Sequence, residues 1–253
     1  MMNQVTHGKT TDSIRQRVCR MGFWIAILTA VTAAAALGIA VTTAPARSGP
    51  NCPPLVELGV VESCVEYPYT DVAAFVPIEY IWMYPAFLLA LLFVVLVVCI
   101  HHYADVDKKV FGQIALSFAL LSAAAHVINY FIQLAVMQPS LLKGELEGLS
   151  LFSQYNPHGV FIALEDVGYL MMGVAFLFIA AVFSRRERLE RIIRLVFGAS
   201  SVLAVGSLIV LALIYGSNLE YRYEVFSIMV DWVTLIVSGV LLSVFFKRAT
   251  KDV

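Results

Sequence analysis

Six long apolar runs restrict what this sequence can fold into. They cover residues of about 22–44, 79–102, 110–137, 158–184, 193–215 and 223–246. Each holds about 20 residues or more, enough for an α-helix to cross a hydrocarbon core of roughly 30 Å. The strands of a membrane barrel would be shorter and would alternate apolar and polar residues. The runs therefore predict an all-α integral membrane protein, a six-transmembrane-helix bundle with one membrane domain over residues 1–253.

The overall composition agrees with a membrane location. The chain is 60% hydrophobic and 14% charged, whereas globular domains carry about 25% charged residues. We expect the lipid bilayer to be its main environment and partner, and we expect no nucleic-acid partner.

Lysines and arginines are divided unevenly between the two sets of loops. Basic residues near the ends of spans are retained on the cytoplasmic side of the membrane. With both termini inside, only Arg47, Lys143 and Arg222 fall outside. The basic residues on the cytoplasmic side are Lys9, Arg15, Arg17, Arg20, Lys108, Lys109, Arg185, Arg186, Arg188, Arg191, Arg194, Lys247, Arg248 and Lys251. This distribution predicts a multi-pass cell-membrane protein with cytoplasmic N- and C-termini.

Acidic residues show the opposite distribution and are assigned to the outer loops. They are Glu57, Glu62, Glu66, Asp71, Glu79, Glu145, Glu147, Glu220 and Glu224. A mouth lined by negative charge concentrates cations near it. Acidic residues also accumulate wherever lysine and arginine are excluded, so this pattern leaves both interpretations open.

Two of the four cysteines, Cys52 and Cys64, share the first outer loop, residues 45–78. By the predicted topology, Cys19 and Cys99 lie towards the cytoplasmic side. An outer pair that closes a short loop is placed to form a disulfide bond, because that compartment is oxidising. The alternative, a metal site, lacks nearby histidines and further cysteines, so we predict a disulfide and no metal ligands.

Ionisable side chains interrupt several of the apolar runs. A charge at the bilayer centre costs about 2.5–3.5 kcal/mol on insertion scales, so retained carboxylates indicate an interior site with partners. In span six, helical spacing places Asp231 on one face with Ser227, Thr234 and Ser238. In span three, one face carries Ser122, His126, Asn129, Tyr130 and Gln133.

Span four presents two polar faces, because neighbouring residues point about 100° apart around a helix. Glu165 shares one face with Tyr169 and is predicted to line a cavity. Asp166 shares the other face with small residues such as Gly173, which let helices approach closely. We therefore predict that Asp166 forms a hydrogen bond between helices.

The polar groups of spans three, four and six lie at similar depths, about 12–16 Å from the outer ends of their helices. We expect them to meet in one outward-accessible pocket, with His126 as the titrating partner that neutralises a carboxylate. The predicted ligand-binding residues are His126, Asn129, Tyr130, Glu165, Asp166, Tyr169 and Asp231.

Three functions remain open at this point. In the first, the pocket binds a proton, a cation or a small cationic ligand, with transport as its use. In the second, the carboxyl groups act as general acid and base in a membrane-embedded enzyme with a lipid-like substrate. Alternatively, the protein is a noncatalytic complex subunit or assembly factor. The sequence assigns no cofactor, and it leaves open both a homo-oligomer and a membrane partner.

Overall fold

The computed structural model describes residues 2–251, and the side chains of residues 14–251. Over this range the secondary structure is helical, without strands. Six of the helices are long and apolar enough to cross a membrane. They are α1 (Met2–Thr43), α2 (Met83–Tyr103), α3 (Lys109–Ile132), α4 (Val160–Val182), α5 (Arg188–Tyr215) and α6 (Arg222–Ala249). The predicted all-α, six-helix membrane architecture is confirmed.

The third span is longer than predicted. Helix α3 continues through a π-helical turn, Gln133–Met137, into a last α-helical segment, Gln138–Lys143. Pro139 does not end it, because proline is tolerated in the first turn of a helical segment. The span ends at Gly144, whose φ of 72° is in the left-handed region that glycine adopts readily.

The six helices form a ring in chain order. Each helix packs against the next, and α6 closes the ring on α1. Helix α4 also contacts α6 and, less extensively, α2 across the ring. Helix α4 therefore lies towards the centre of the ring, and it carries the two adjacent carboxyl groups of span four.

Successive helices run in opposite directions, so both termini lie at one end of the bundle, here called the termini end. The opposite end carries residues 44–82, 144–159 and 216–221 and is called the disulfide end. Its first loop includes the helix Cys52–Glu57 and 3₁₀ turns at Gly49–Asn51, Ala73–Phe75 and Ile78–Tyr80. The predicted disulfide between Cys52 and Cys64 is present. The cytoplasmic location of the termini stays a prediction.

Small residues let α1 and α6 pack closely. A Cβ atom added at Gly239 would lie 2.7 Å from the carbonyl oxygen of Ala26 and 2.8 Å from the Cβ of Ala30. Close backbone approach of this kind is how transmembrane helices gain packing energy without a hydrophobic driving force. The contact closes the ring between the first and last helices.

We expect Gly239→Ala to destabilise the protein, because its new methyl group meets backbone atoms that cannot move aside. Overpacking typically costs about 1–3 kcal/mol. Titration of helical circular dichroism with a denaturing detergent measures the loss. Gly206→Ala is the matched control, since no atom lies within 4 Å of the Cβ built there. Equal stability of the two variants would contradict the close contact.

Candidate functional site

The polar face of α3 points into the bundle, as its spacing predicted. Ser122, His126, Asn129, Tyr130 and Gln133 are all buried. The Asn129 side-chain amide donates to the carbonyl oxygen of Phe161 at 2.9 Å, and the Gln133 amide donates to that of Phe152 at 2.7 Å. These two side chains therefore attach α3 to the start of α4 and to the loop before it.

Glu165 of α4 is fully buried against the same face of α3. The Tyr130 hydroxyl donates to its Oε1 atom at 2.7 Å. The Tyr169 hydroxyl lies 3.0 Å from that of Tyr130, so Tyr169 donates to Tyr130 in turn. Two tyrosines in series thus hold one oxygen of the buried carboxyl group.

The Glu165 carboxyl group lies beside another carboxyl group, that of Glu224 near the start of α6. The two side chains are within hydrogen-bonding reach of one another. Both residues are buried, and no donor among the described residues reaches the Oε2 atom of either. A proton shared between the two groups would complete their hydrogen bonding.

Electrostatics favours that shared proton. Two unit charges about 4 Å apart repel by about 4 kcal/mol at an effective dielectric constant of about 20. A hydrogen bond to a charged group contributes only about 1.5–3 kcal/mol, so the Tyr130 contact does not offset such a repulsion. Two carboxyl groups buried side by side therefore favour one shared proton over two negative charges.

His126 is not paired with a carboxylate, contrary to the expectation from sequence. Its Nδ1 atom lies 3.4 Å from the Ser122 hydroxyl, and its Nε2 atom has no hydrogen-bond partner. The ring instead packs on Tyr169, at 4.4 Å between centroids. A Cβ atom at Gly168 would lie 2.6 Å from the imidazole, so the α4 backbone presses directly on the ring and leaves no space for a carboxylate.

Asp231 of α6 is fully buried, and neither of its carboxyl oxygens has a hydrogen-bond partner. It lies seven residues beyond Glu224, about 10 Å further along the helix axis. An unpartnered carboxyl group at this depth is far cheaper to keep neutral than ionised.

Asp166 makes no hydrogen bond within this cluster. The residue is only partly buried, and its Oδ1 atom has no hydrogen-bond partner among the described residues, so the interhelical bond predicted for it is not formed. Of the small residues on its face, Gly173 does meet α5, since a Cβ there would lie 2.7 Å from Ala204. The structure thus joins Tyr130, Glu165 and Tyr169 through hydrogen bonds in which Asp166 takes no part.

A cavity of about 140 Å³ lies at the disulfide end, above the carboxyl pair. Glu224 belongs to its lining, as do Arg47 and Glu79. The volume accommodates several water molecules beside these polar groups. Glu224 therefore connects the wet cavity to Glu165, which is not part of the cavity wall.

A network of side chains covers this cavity. Arg47 forms a salt bridge to the Oε1 atom of Glu79 at 2.6 Å, and its guanidinium group lies 3.8 Å from the centroid of the Phe75 ring. The Tyr155 hydroxyl donates to the Oε2 atom of Glu79 at 2.8 Å. Ser48 lies 2.8 Å from the Tyr221 hydroxyl. The network joins the first outer loop to the two other segments of the disulfide end.

Both tyrosines of the cover stay protonated across the physiological pH range. Burial raises the pKa of Tyr155 well above its usual range, and the nearby Tyr80 and Glu79 add to this shift. Burial likewise raises the pKa of Tyr221, while its hydrogen bond with Ser48 lowers it. The Tyr155 hydroxyl is therefore a permanent donor to Glu79.

Below the carboxyl pair the bundle is nearly dry. A void of only about 10 Å³ lies beside His126, Tyr130 and Tyr169, which is at the limit for a single water molecule. Trp82 packs on Tyr130 and on Trp232, at 5.5 Å and 6.0 Å between ring centroids. The single wet chamber expected from sequence is thus divided into an outer cavity and a small inner void.

No group of three or more histidine, cysteine, aspartate or glutamate side chains is placed to hold a metal ion within the described part of the chain. The carboxyl pair offers only two such ligands. Two carboxyl groups and a tyrosine hydroxyl can instead hold one proton through hydrogen bonds.

Glu224 and Glu79 are the site residues that sequence reasoning missed, because both were assigned to the outer loops. Each is buried, with exposed fractions of 8% and 4%. For Glu224 the signal was present in the helical spacing, since it precedes Ser227 by three residues and Asp231 by seven. That spacing places all three on one stripe of α6.

No protein-family model, curated protein or solved structure matches this chain.

We expect Tyr155→Phe to destabilise the protein by about 1.5–3 kcal/mol, the usual contribution of a hydrogen bond to a charged group. The folded-state pKa of Tyr155 is raised above its unfolded value of about 10. The stabilisation that the Tyr155 hydroxyl provides is therefore complete below a pH of about 10. It is lost as the pH rises towards the folded-state pKa.

Detergent unfolding of the wild type and the Phe variant at neutral and strongly alkaline pH measures this difference. Tyr67→Phe is the control, because Tyr67 is 78% exposed. A stability difference that does not shrink at alkaline pH would contradict the assigned hydrogen bond.

Proposed function

We propose that this multi-pass membrane protein binds protons at the Glu165–Glu224 pair and exchanges them with the disulfide end, as part of proton transport. The observation that carries the proposal is the contact between these two buried carboxyl groups beneath a polar cavity. Only one of the two reaches the cavity wall, so protons enter through Glu224 and are shared with Glu165.

A proton fits this site better than a larger cation. One oxygen of each carboxyl group lacks a hydrogen-bond donor among the described residues, which is the arrangement that one shared proton completes. Glu165 is not part of the cavity wall, so a hydrated cation in the cavity of about 140 Å³ would meet only Glu224 of the pair. The other oxygen of Glu165 is fixed by Tyr130, so the pair is oriented before a proton arrives.

Asp231 supplies a second proton site on the same helix. It lies deeper than the pair by about 10 Å along the axis of α6. A proton that leaves the pair for the membrane interior reaches Asp231 next. Movement from one site to the other requires a change in the packing of α4 against α6, because the path between them is dry.

The unpartnered oxygens count against the assembly-factor hypothesis. A polar layer that only holds helices together would gain most from complete hydrogen bonding, since each such bond contributes about 0.6–2 kcal/mol in a membrane. Asp231 makes no hydrogen bond with either oxygen, so it adds nothing to helix association in this arrangement.

We expect Glu165→Gln and Glu224→Gln each to remove the shared-proton titration. Infrared titration of the purified protein follows the carbonyl band of a protonated carboxyl group as pH rises. Each single variant keeps one buried carboxyl group, which should lose its proton at lower pH than the pair does, because the second negative charge is gone. The double variant should lack this titration altogether. Glu147→Gln is the control, since Glu147 is exposed in a loop at the same end. A wild-type pH profile retained in either single variant would contradict the shared site.

We expect Asp231→Asn to stop proton movement while leaving the titration of the carboxyl pair unchanged. Asparagine has nearly the same shape as a neutral aspartic acid, so stability should change by less than about 1 kcal/mol. Proton flux into liposomes under an imposed pH gradient measures transport, with Asp71→Asn in the exposed first loop as the control. Flux that persists in the Asp231 variant would exclude it from the path, and absent flux in the wild type would restrict the protein to proton binding.

A further inference from the structure

A second feature of the molecule lies on its membrane-facing surface, away from the carboxyl pair. A groove of about 790 Å³ runs between α4 and α5, with Phe111 of α3 at its edge. Its lining is apolar except for Arg194, the one charged residue among the described residues that form it. We call this feature the α4–α5 groove.

The length of the groove matches one leaflet of a bilayer. On α5 the lining extends from Arg194 to Leu203, nine residues or about 14 Å along the helix. Half of a hydrocarbon core is about 15 Å. Arg194 lies at the termini end of the groove, where a lipid headgroup meets water, and the apolar lining extends from there towards the bilayer centre.

The termini end of the groove is strongly basic. Arg185, Arg186, Arg188 and Arg191 lie close to Arg194 in the chain, against only Glu187 and Glu190. Glu190 is itself engaged, since its carboxylate accepts the backbone N–H of Ser184. An anionic headgroup is attracted to such a cluster of basic residues.

Arg194 keeps the capacity to bind an anion. It donates one bond, from Nη1 to the carbonyl oxygen of Phe183 at 3.3 Å. A guanidinium group carries five N–H donors in a planar fork that suits phosphate oxygens. The remaining donors of Arg194 are therefore free for a phosphate at the mouth of the groove.

We propose that the α4–α5 groove binds an anionic phospholipid, with its phosphate on Arg194 and one acyl chain along α5. Gly198 forms part of the floor of the groove and leaves space for the chain. A Cβ atom added at Gly198 would meet no atom within 4 Å, so a side chain there projects into open space. The site is independent of the proton-binding pair, which faces the interior of the bundle.

Native mass spectrometry of the delipidated full-length protein tests this proposal. The probes are phosphatidylglycerol and phosphatidylcholine with identical acyl chains. We expect the wild type to bind phosphatidylglycerol about tenfold more tightly, the ratio that one charge-assisted contact of roughly 1.4 kcal/mol produces. Arg194→Gln should remove this preference, and Arg194→Lys should retain part of it.

Gly198→Leu should weaken the binding of both lipids, because the new side chain fills the groove without touching the protein. Gly206→Leu is the matched control, as Gly206 also lies on α5 in open space and outside the groove lining. The Gly198 variant tests the site even if loss of the Arg194 bond to Phe183 impairs folding.

Three results would overturn the proposal. They are equal binding of the two lipids by the wild type, unchanged binding by the Gly198 variant, and a full preference for phosphatidylglycerol in Arg194→Gln. Displacement of phosphatidylglycerol by inorganic phosphate would assign the arginines to free phosphate and would likewise overturn a lipid site.

Discussion

The carboxyl groups of Glu165 and Glu224 meet where α4 contacts α6, in a place that water does not reach from below. Two negative charges there would push these helices apart, whereas one shared proton joins them. In the proposed function, the packing of α4 against α6 therefore depends on the protonation of the pair. This coupling between a proton and a helix contact is the physical basis of that proposal.

The carboxyl pair has a polar cavity on one side and packed aromatic rings on the other. Towards the disulfide end, the interior holds a cavity covered by the Arg47–Glu79 salt bridge and tyrosine hydroxyl groups. Towards the termini end, aromatic rings fill the interior, with Phe176 5.7 Å from Phe93 and 5.3 Å from Phe197 between centroids. The cavity that Glu224 lines thus lies on the side of the disulfide end, and packed aromatic rings lie between the carboxyl pair and the termini end.

Much of the candidate site was predictable from helical spacing, and the errors of that prediction have identifiable causes. Residues at intervals of three and four share a face, so the buried stripe of α3 and the inward direction of Glu165 and Asp231 were predictable. Glu224 was not found, because a carboxylate near the end of a span looks the same whether it faces water or another helix. The expected His126 ion pair fails because Gly168 brings the α4 backbone onto the imidazole ring, a contact between residues 42 positions apart.

The sequence by itself determined the number of membrane helices and the position of the disulfide bond. Both depend on local properties, since the length of an apolar run decides whether a helix crosses a bilayer, and two cysteines in one short loop have few other partners. Only the tertiary structure decided which carboxyl groups meet, which residue reaches the cavity, and which face of α5 leaves a groove. These features depend on the rotation and neighbours of each helix, and small residues such as Gly168 and Gly239 set them through contacts distant in the chain.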